Sequence, residues 1–215
     1  MFVCHWLCQC AFNGVRADGE RAIPVETKMS AGSPSPTLTA EEFFADEPSG
    51  DWNELVRGRV VTLRPPGAQH GAICANVVYE LMSFLEEHAL GRGVCNNCGV
   101  ITERDPDTVR GPDIAYYSFD RIPPGPAPTG YPAVSPDLIF EVLSPDDCTP
   151  EMTVKVGEYL AAGVRAVVLV NPEKSTVTIY RPDDERPATM LRGKETFSVP
   201  EILPGWELPV SRFFE

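Results

Sequence analysis

The sequence predicts an α/β fold on the α+β border, with a mixed central β-sheet flanked by one main helix on each side. Three observations predict it. Residues 137–143 and 166–170 are short, largely apolar runs with the composition of strands buried on both faces. Between them, Met152, Val156, Tyr159 and Leu160 recur at helical spacing, so the strand–helix–strand order implies a parallel crossover. Residues 176–181 then follow Asn171-Pro172-Glu173 as an antiparallel neighbour, which makes the sheet mixed.

The elements follow in order. Thr39-Ala-Glu-Glu42 is a capping-box pattern that starts a short helix before Phe43 and Phe44. Residues 54–56 and 59–63 flank Arg57-Gly58 and read as a hairpin. From His70 to about Leu90, Ile73, Val77, Leu81 and Leu85 mark the longest helix, expected to end at Gly91 and Gly93. Residues 100–102 and 113–118 are short strands, and six prolines between 123 and 136 make an irregular loop. Thr149 and Pro150 are good first residues for the crossover helix, which Gly163 stops. Weaker strands are expected around 188–192 and 206–208.

The chain has 215 residues and a formal charge of −13, which disfavours a nonspecific polyanion binder without excluding a site for cations. No apolar run approaches the roughly 18–20 residues of a membrane-spanning helix, so no membrane partner is expected. Seven cysteines, an odd number in a chain this long, favour reduced thiols and a cytoplasmic location. Cys95 and Cys98 form a CxxC with no second pair at zinc-ribbon spacing, and read as plain thiols. Residues 1–37 read as a disordered or mis-assigned extension. Met29 opens a Ser/Pro-rich stretch and is the expected start, and residues 38–215 form the folded domain.

Glu141 is the most informative residue. It lies inside Leu138-Ile-Phe-Glu-Val-Leu143, and burying a lone carboxylate costs several kcal/mol unless it is paired or holds a metal. Strand alternation puts Asp137 and Glu141 on one face but about 13 Å apart at roughly 3.3 Å per residue, too far to chelate one ion. Asp113, at the head of the next strand, is the natural partner, and two carboxylates on neighbouring strands suit a hard ion such as magnesium. Lys155, early in the crossover helix, can reach the same pocket and place a positive charge beside a phosphate in the transition state. Each residue also has a plainer reading. Asp113 can cap a turn, Glu141 can pair with an arginine, and Lys155 can be a solvated helix residue.

Together these pieces resemble the Uma-type (Uma-two) restriction endonuclease family of the PD-(D/E)xK nuclease superfamily. The matching segments are residues 54–60, His70, Gly111-Pro-Asp113, residues 136–145, Lys155 to Val164, Asn171-Pro-Glu173 and the closing Leu203-Pro-Gly-Trp206. The resemblance covers residues 38–214. It implies a restriction-endonuclease-like core and a metal-dependent endonuclease that hydrolyses DNA phosphodiester bonds. Asp113 and Glu141 would ligate Mg2+ or Mn2+, and Lys155 would stabilise charge. Glu54 is either a further site carboxylate or a partner of Arg57 or Arg59. His70 either contacts phosphate or begins the helix, and Asp137 is a strand-start residue. The usual motif has its lysine two residues after the glutamate, where this chain has Leu143, so Lys155 must substitute from the helix. The alternative is a nuclease-fold binding or assembly module without turnover. A homodimer is one assembly consistent with cutting both strands.

Overall fold

The computed structural model describes residues 37–45, 52–144, 149–182 and 188–215. The N-terminal segment with Met29 and three of the cysteines, and the acidic pair Asp146-Asp147, lie outside the described residues.

The capping box forms at α1 (Ala40–Ala45). The Glu42 amide donates to Thr39 Oγ1 at 3.2 Å, and the Thr39 amide donates to the Glu42 carboxylate at 2.9 Å. The predicted hairpin is β1 (Trp52–Val56) with β2 (Arg59–Leu63), closed by Arg57 and Gly58 at φ 50° and 73°. Those left-handed values match the primed turns that follow strand twist. Gly58 is required there, since a Cβ would sit 2.4 Å from Thr37 Cβ.

The long helix α2 (Ala68–Glu87) buries Ile73, Val77, Leu81 and Leu85, the stripe read from the sequence. Gly91 and Gly93 do not end it; they belong to a strand, β3 (Gly91–Cys95). Close packing against backbone explains Gly91, whereas Gly93 faces only side chains. A Cβ at Gly91 would lie 2.2 Å from the Tyr117 carbonyl oxygen, and one at Gly93 would lie 2.9 Å from Met82 Sδ. Gly91→Ala is therefore expected to destabilise the fold by about 1–3 kcal/mol, measured as a lower urea midpoint at unchanged slope.

The remaining strands are β4 (Val100–Glu103), β5 (Thr108–Arg110), β6 (Ile114–Ser118), β7 (Leu138–Val142), β8 (Ala166–Asn171), β9 (Thr176–Tyr180), β10 (Thr189–Arg192), β11 (Thr196–Ser198) and β12 (Glu207–Pro209). Helix α3 (Thr149–Ala161) joins β7 to β8. The central sheet has the order β10-β9-β8-β7-β6-β3, with β7 and β8 parallel and the other pairs antiparallel. A second sheet has the order β2-β1-β5-β4, and β11 pairs with β12.

Alternation along β7 sends Leu138, Phe140 and Val142 into the core under α2. Ile139 points the other way and packs with Val156 and Tyr159 of α3. Glu141 shares the face of Ile139, which places a carboxylate between the sheet and α3. The fold is thus the expected mixed sheet with a helix on each side, consistent with a restriction-endonuclease-like core.

Candidate metal and catalytic site

Glu141 is buried, and its Oε1 has two partners on α3. Lys155 Nζ lies 2.9 Å away, and the Tyr159 hydroxyl donates at 2.8 Å. Lys155 and Tyr159 are four residues apart and so lie on one helix face. The parallel crossover lays that face over β7. Lys155 Nζ also lies 3.0 Å from Glu54 Oε1 and donates to the Gly111 carbonyl oxygen at 3.4 Å. The lysine, with 13% of its side chain exposed, is not a solvated helix residue.

Glu54 on β1 is buried and accepts from Arg110 Nη1 at 2.8 Å and from the Gly111 amide at 3.0 Å. Arg110 makes a two-point contact with Glu158 at 2.6 and 3.1 Å. Neither Arg57 nor Arg59 is the Glu54 partner that the sequence suggests; Arg57 instead approaches Glu103 at 3.8 Å. The reason is that β1 runs beside β5, which ends at Arg110.

Asp113 precedes β6. Its Oδ2 accepts from the Val142 amide at 2.7 Å and lies 3.3 Å from His70 Nε2. His70 is in the first turn of α2 and also faces the site, so it does more than begin the helix. Its Nδ1 lies 3.5 Å from Cys74 Sγ, one turn on. Asp137 stands apart from this group. It accepts from the Ser118 amide at 2.9 Å and pairs with Arg121 at 3.0 Å, fastening the proline loop as a strand-start residue should. Glu54, His70, Asp113, Glu141 and Lys155 line one cleft of about 860 Å3, together with Arg64 and Glu151.

The electrostatics separate the carboxylates. Burial pushes Glu141 up to about 7; Lys155 opposes this, and the negative charge of Asp113 adds to it. Burial also works on Glu54, but Lys155, Arg110 and the Gly111 amide overcome it and hold that carboxyl below its ordinary value. Burial opposes the charge of Lys155, yet Glu141 and Glu54 outweigh it and raise the ammonium's pKa. Lys155 is therefore charged and Glu54 is ionised, while burial and the Asp113 charge favour the protonated form of Glu141. A cation bound beside Asp113 and Glu141 would offset the charge repulsion that raises Glu141, and carboxylate oxygens suit a hard ion. His70, Cys74 and Asp113 each bring one donor atom within 4.8 Å of the others, a cluster able to hold a metal ion.

Arg110 and Tyr159 are missing from the sequence reading of the site, and so is Cys74. Cys74 left a signal, since it lies four residues after His70 on a helix. Tyr159 reads as one more residue of the buried stripe, and nothing local marks Arg110. Cys95 and Cys98 are free thiols. Among the described residues, no helix is long and apolar enough to cross a membrane.

Residues 40–211 match the Uma2 family, described as "Putative restriction endonuclease". The structure is similar to that of a "putative nuclease belonging to DUF820" from Anabaena variabilis. Identity is 23%, the TM-score is 0.68, and the match covers 82% of this chain and 97% of that one. No curated protein matches the chain.

Proposed function

Because the chain belongs to the Uma2 family, within the PD-(D/E)xK-like nucleases, we propose that it is a divalent-metal-dependent endonuclease that hydrolyses DNA. The observation that carries this reading is the Lys155 ammonium, 2.9 Å from Glu141, supplied by a helix where the usual motif draws it from the strand. Asp113 and Glu141 would hold Mg2+ or Mn2+. When bound, the ion supplies Lewis acidity toward a phosphoryl oxygen and toward water.

The chain's own groups do the rest. Lys155 sets a fixed positive charge at the cleft wall, where charge builds on the phosphate in the transition state. Glu54 is a positioning residue that holds Lys155 Nζ, and Arg110 holds Glu54. The Tyr159 hydroxyl fixes one Glu141 oxygen. Arg59 on β2 is exposed, and Arg64 just beyond it lines the cleft. They are suited to grip the DNA backbone beside an otherwise acidic site.

A second reading, a nuclease-fold module without turnover, is favoured by the pairing of Lys155 with two carboxylates and by the −13 charge. Plasmid nicking separates the two. The wild type is expected to nick with Mg2+ or Mn2+ and to stop on chelation, while Asp113→Ala and Glu141→Ala stay at background. Wild-type activity no higher than those variants would refute the nuclease.

A further inference from the structure

DNA hydrolysis leaves Cys74 without a task. Helix α2 presents His70 and Cys74 one turn apart, and the imidazole lies between the thiol and Asp113, at 3.5 Å and 3.3 Å. One imidazole nitrogen, the sulfur and a carboxylate oxygen fall within 4.8 Å of one another. In a tetrahedral zinc site, Zn–S near 2.3 Å and Zn–N or Zn–O near 2.0–2.2 Å imply ligand-to-ligand edges of about 3.3–3.6 Å. To close that gap the His70 ring, whose Nδ1 faces Cys74 and whose Nε2 faces Asp113, must turn one nitrogen toward the shared ion while the donors move by about 1 Å.

A sulfur and nitrogen donor set is wrong for magnesium, which wants oxygens, and right for borderline ions such as Zn2+ and Co2+. The Asp113 carboxylate supplies negative charge to the cation, and metal binding releases the thiol proton to solvent.

We propose that His70, Cys74 and Asp113 form a transition-metal site of the Zn2+ class, and that its occupancy withdraws Asp113 from the magnesium site and switches hydrolysis off. The binding half stands on the cluster alone. The switching half rests on the nuclease reading.

The test uses the full, reduced chain with Co2+ as a spectroscopic probe and Zn2+ as competitor. The wild type should show a thiolate-to-cobalt charge-transfer band that Zn2+ removes. Cys74→Ala should lose the band, and Cys95→Ser/Cys98→Ser should keep it. Zn2+ affinity should fall in Cys74→Ala by at least the roughly 10- to 100-fold typical of lost supporting groups. Cys74→Ser, checked for fold by circular dichroism, serves if the alanine variant does not fold. No band in the wild type, or a band that survives both Cys74 substitutions, overturns the site. For the switch, one equivalent of Zn2+ should weaken Mg2+ binding and suppress Mg2+-supported nicking in the wild type but not in Cys74→Ser. Equal effects on both proteins overturn it. If the wild type does not nick DNA, the nuclease reading and the switch fall together, while the cobalt spectrum still decides the metal site.

Discussion

Lys155→Met is expected to lower DNA nicking by roughly 10²- to 10³-fold, the cost of removing one preorganised charge or donor from a developing anion. Magnesium affinity at alkaline pH should not weaken, because the ammonium competes with any cation for Glu141. The variant should also be less stable. In the wild type one ammonium serves two buried carboxylates at 2.9 and 3.0 Å. Removing one partner of such a group costs about 3–5 kcal/mol. Arg110 and the Gly111 amide still serve Glu54, so the loss falls mainly on Glu141. Protonating Glu141 relieves it, and the deficit measured by urea denaturation should shrink as pH falls. Nicking within tenfold of wild type would remove Lys155 from the mechanism. Lost magnesium binding in calorimetry would reassign it to the metal.

The second large effect is the pH dependence of magnesium binding. Burial raises the folded Glu141 carboxyl from 4.5 to about 7. A raised folded value favours the protonated form. Its contribution to stability is complete below about 4.5 and is lost as pH rises through about 7. Magnesium needs the ionised form. Its affinity should therefore climb about tenfold per pH unit below about 7 and flatten above, roughly 50-fold between pH 5 and 7. The Tm increment from Mg2+ should grow over the same window. Glu141→Gln should bind more weakly at all pH values and lose this profile. Lys155→Met should move it to higher pH, since the ammonium is what holds Glu141 down. A profile that is flat in the wild type, or unchanged in Glu141→Gln, would mean that Glu141 is not a ligand.

Much of the fold was legible because its signals are local. The β7–α3–β8 unit is carried by two apolar runs and one helical stripe, and the capping box and the Arg57-Gly58 turn depend on adjacent residues. Gly91 and Gly93 misled for a physical reason. A glycine after a helical stripe looks like a stop, yet Gly91 here admits the Tyr117 backbone. That requirement comes from residues distant in sequence and leaves no local trace.

The candidate site divides in the same way. By itself the sequence determined that Glu141 is a carboxylate in a buried strand, that Asp113 heads a strand, and that Lys155 follows on the crossover helix. Period-two and helical patterns report burial and face directly, and the right-handed crossover brings the helix back over the sheet. Only the tertiary structure decided the partners. Glu54 could have met Arg57 or Arg59, but β1 lies beside β5 and Arg110 reaches it first. Tyr159 could have been plain core, but it stands one turn from Lys155 and its hydroxyl finds Glu141. Cys74 comes within 4.8 Å of Asp113 only because the first turn of α2 sets His70 against that carboxylate. Charge partnership depends on distances of a few ångströms between segments far apart in sequence. Strand pairing and helix docking fix those distances.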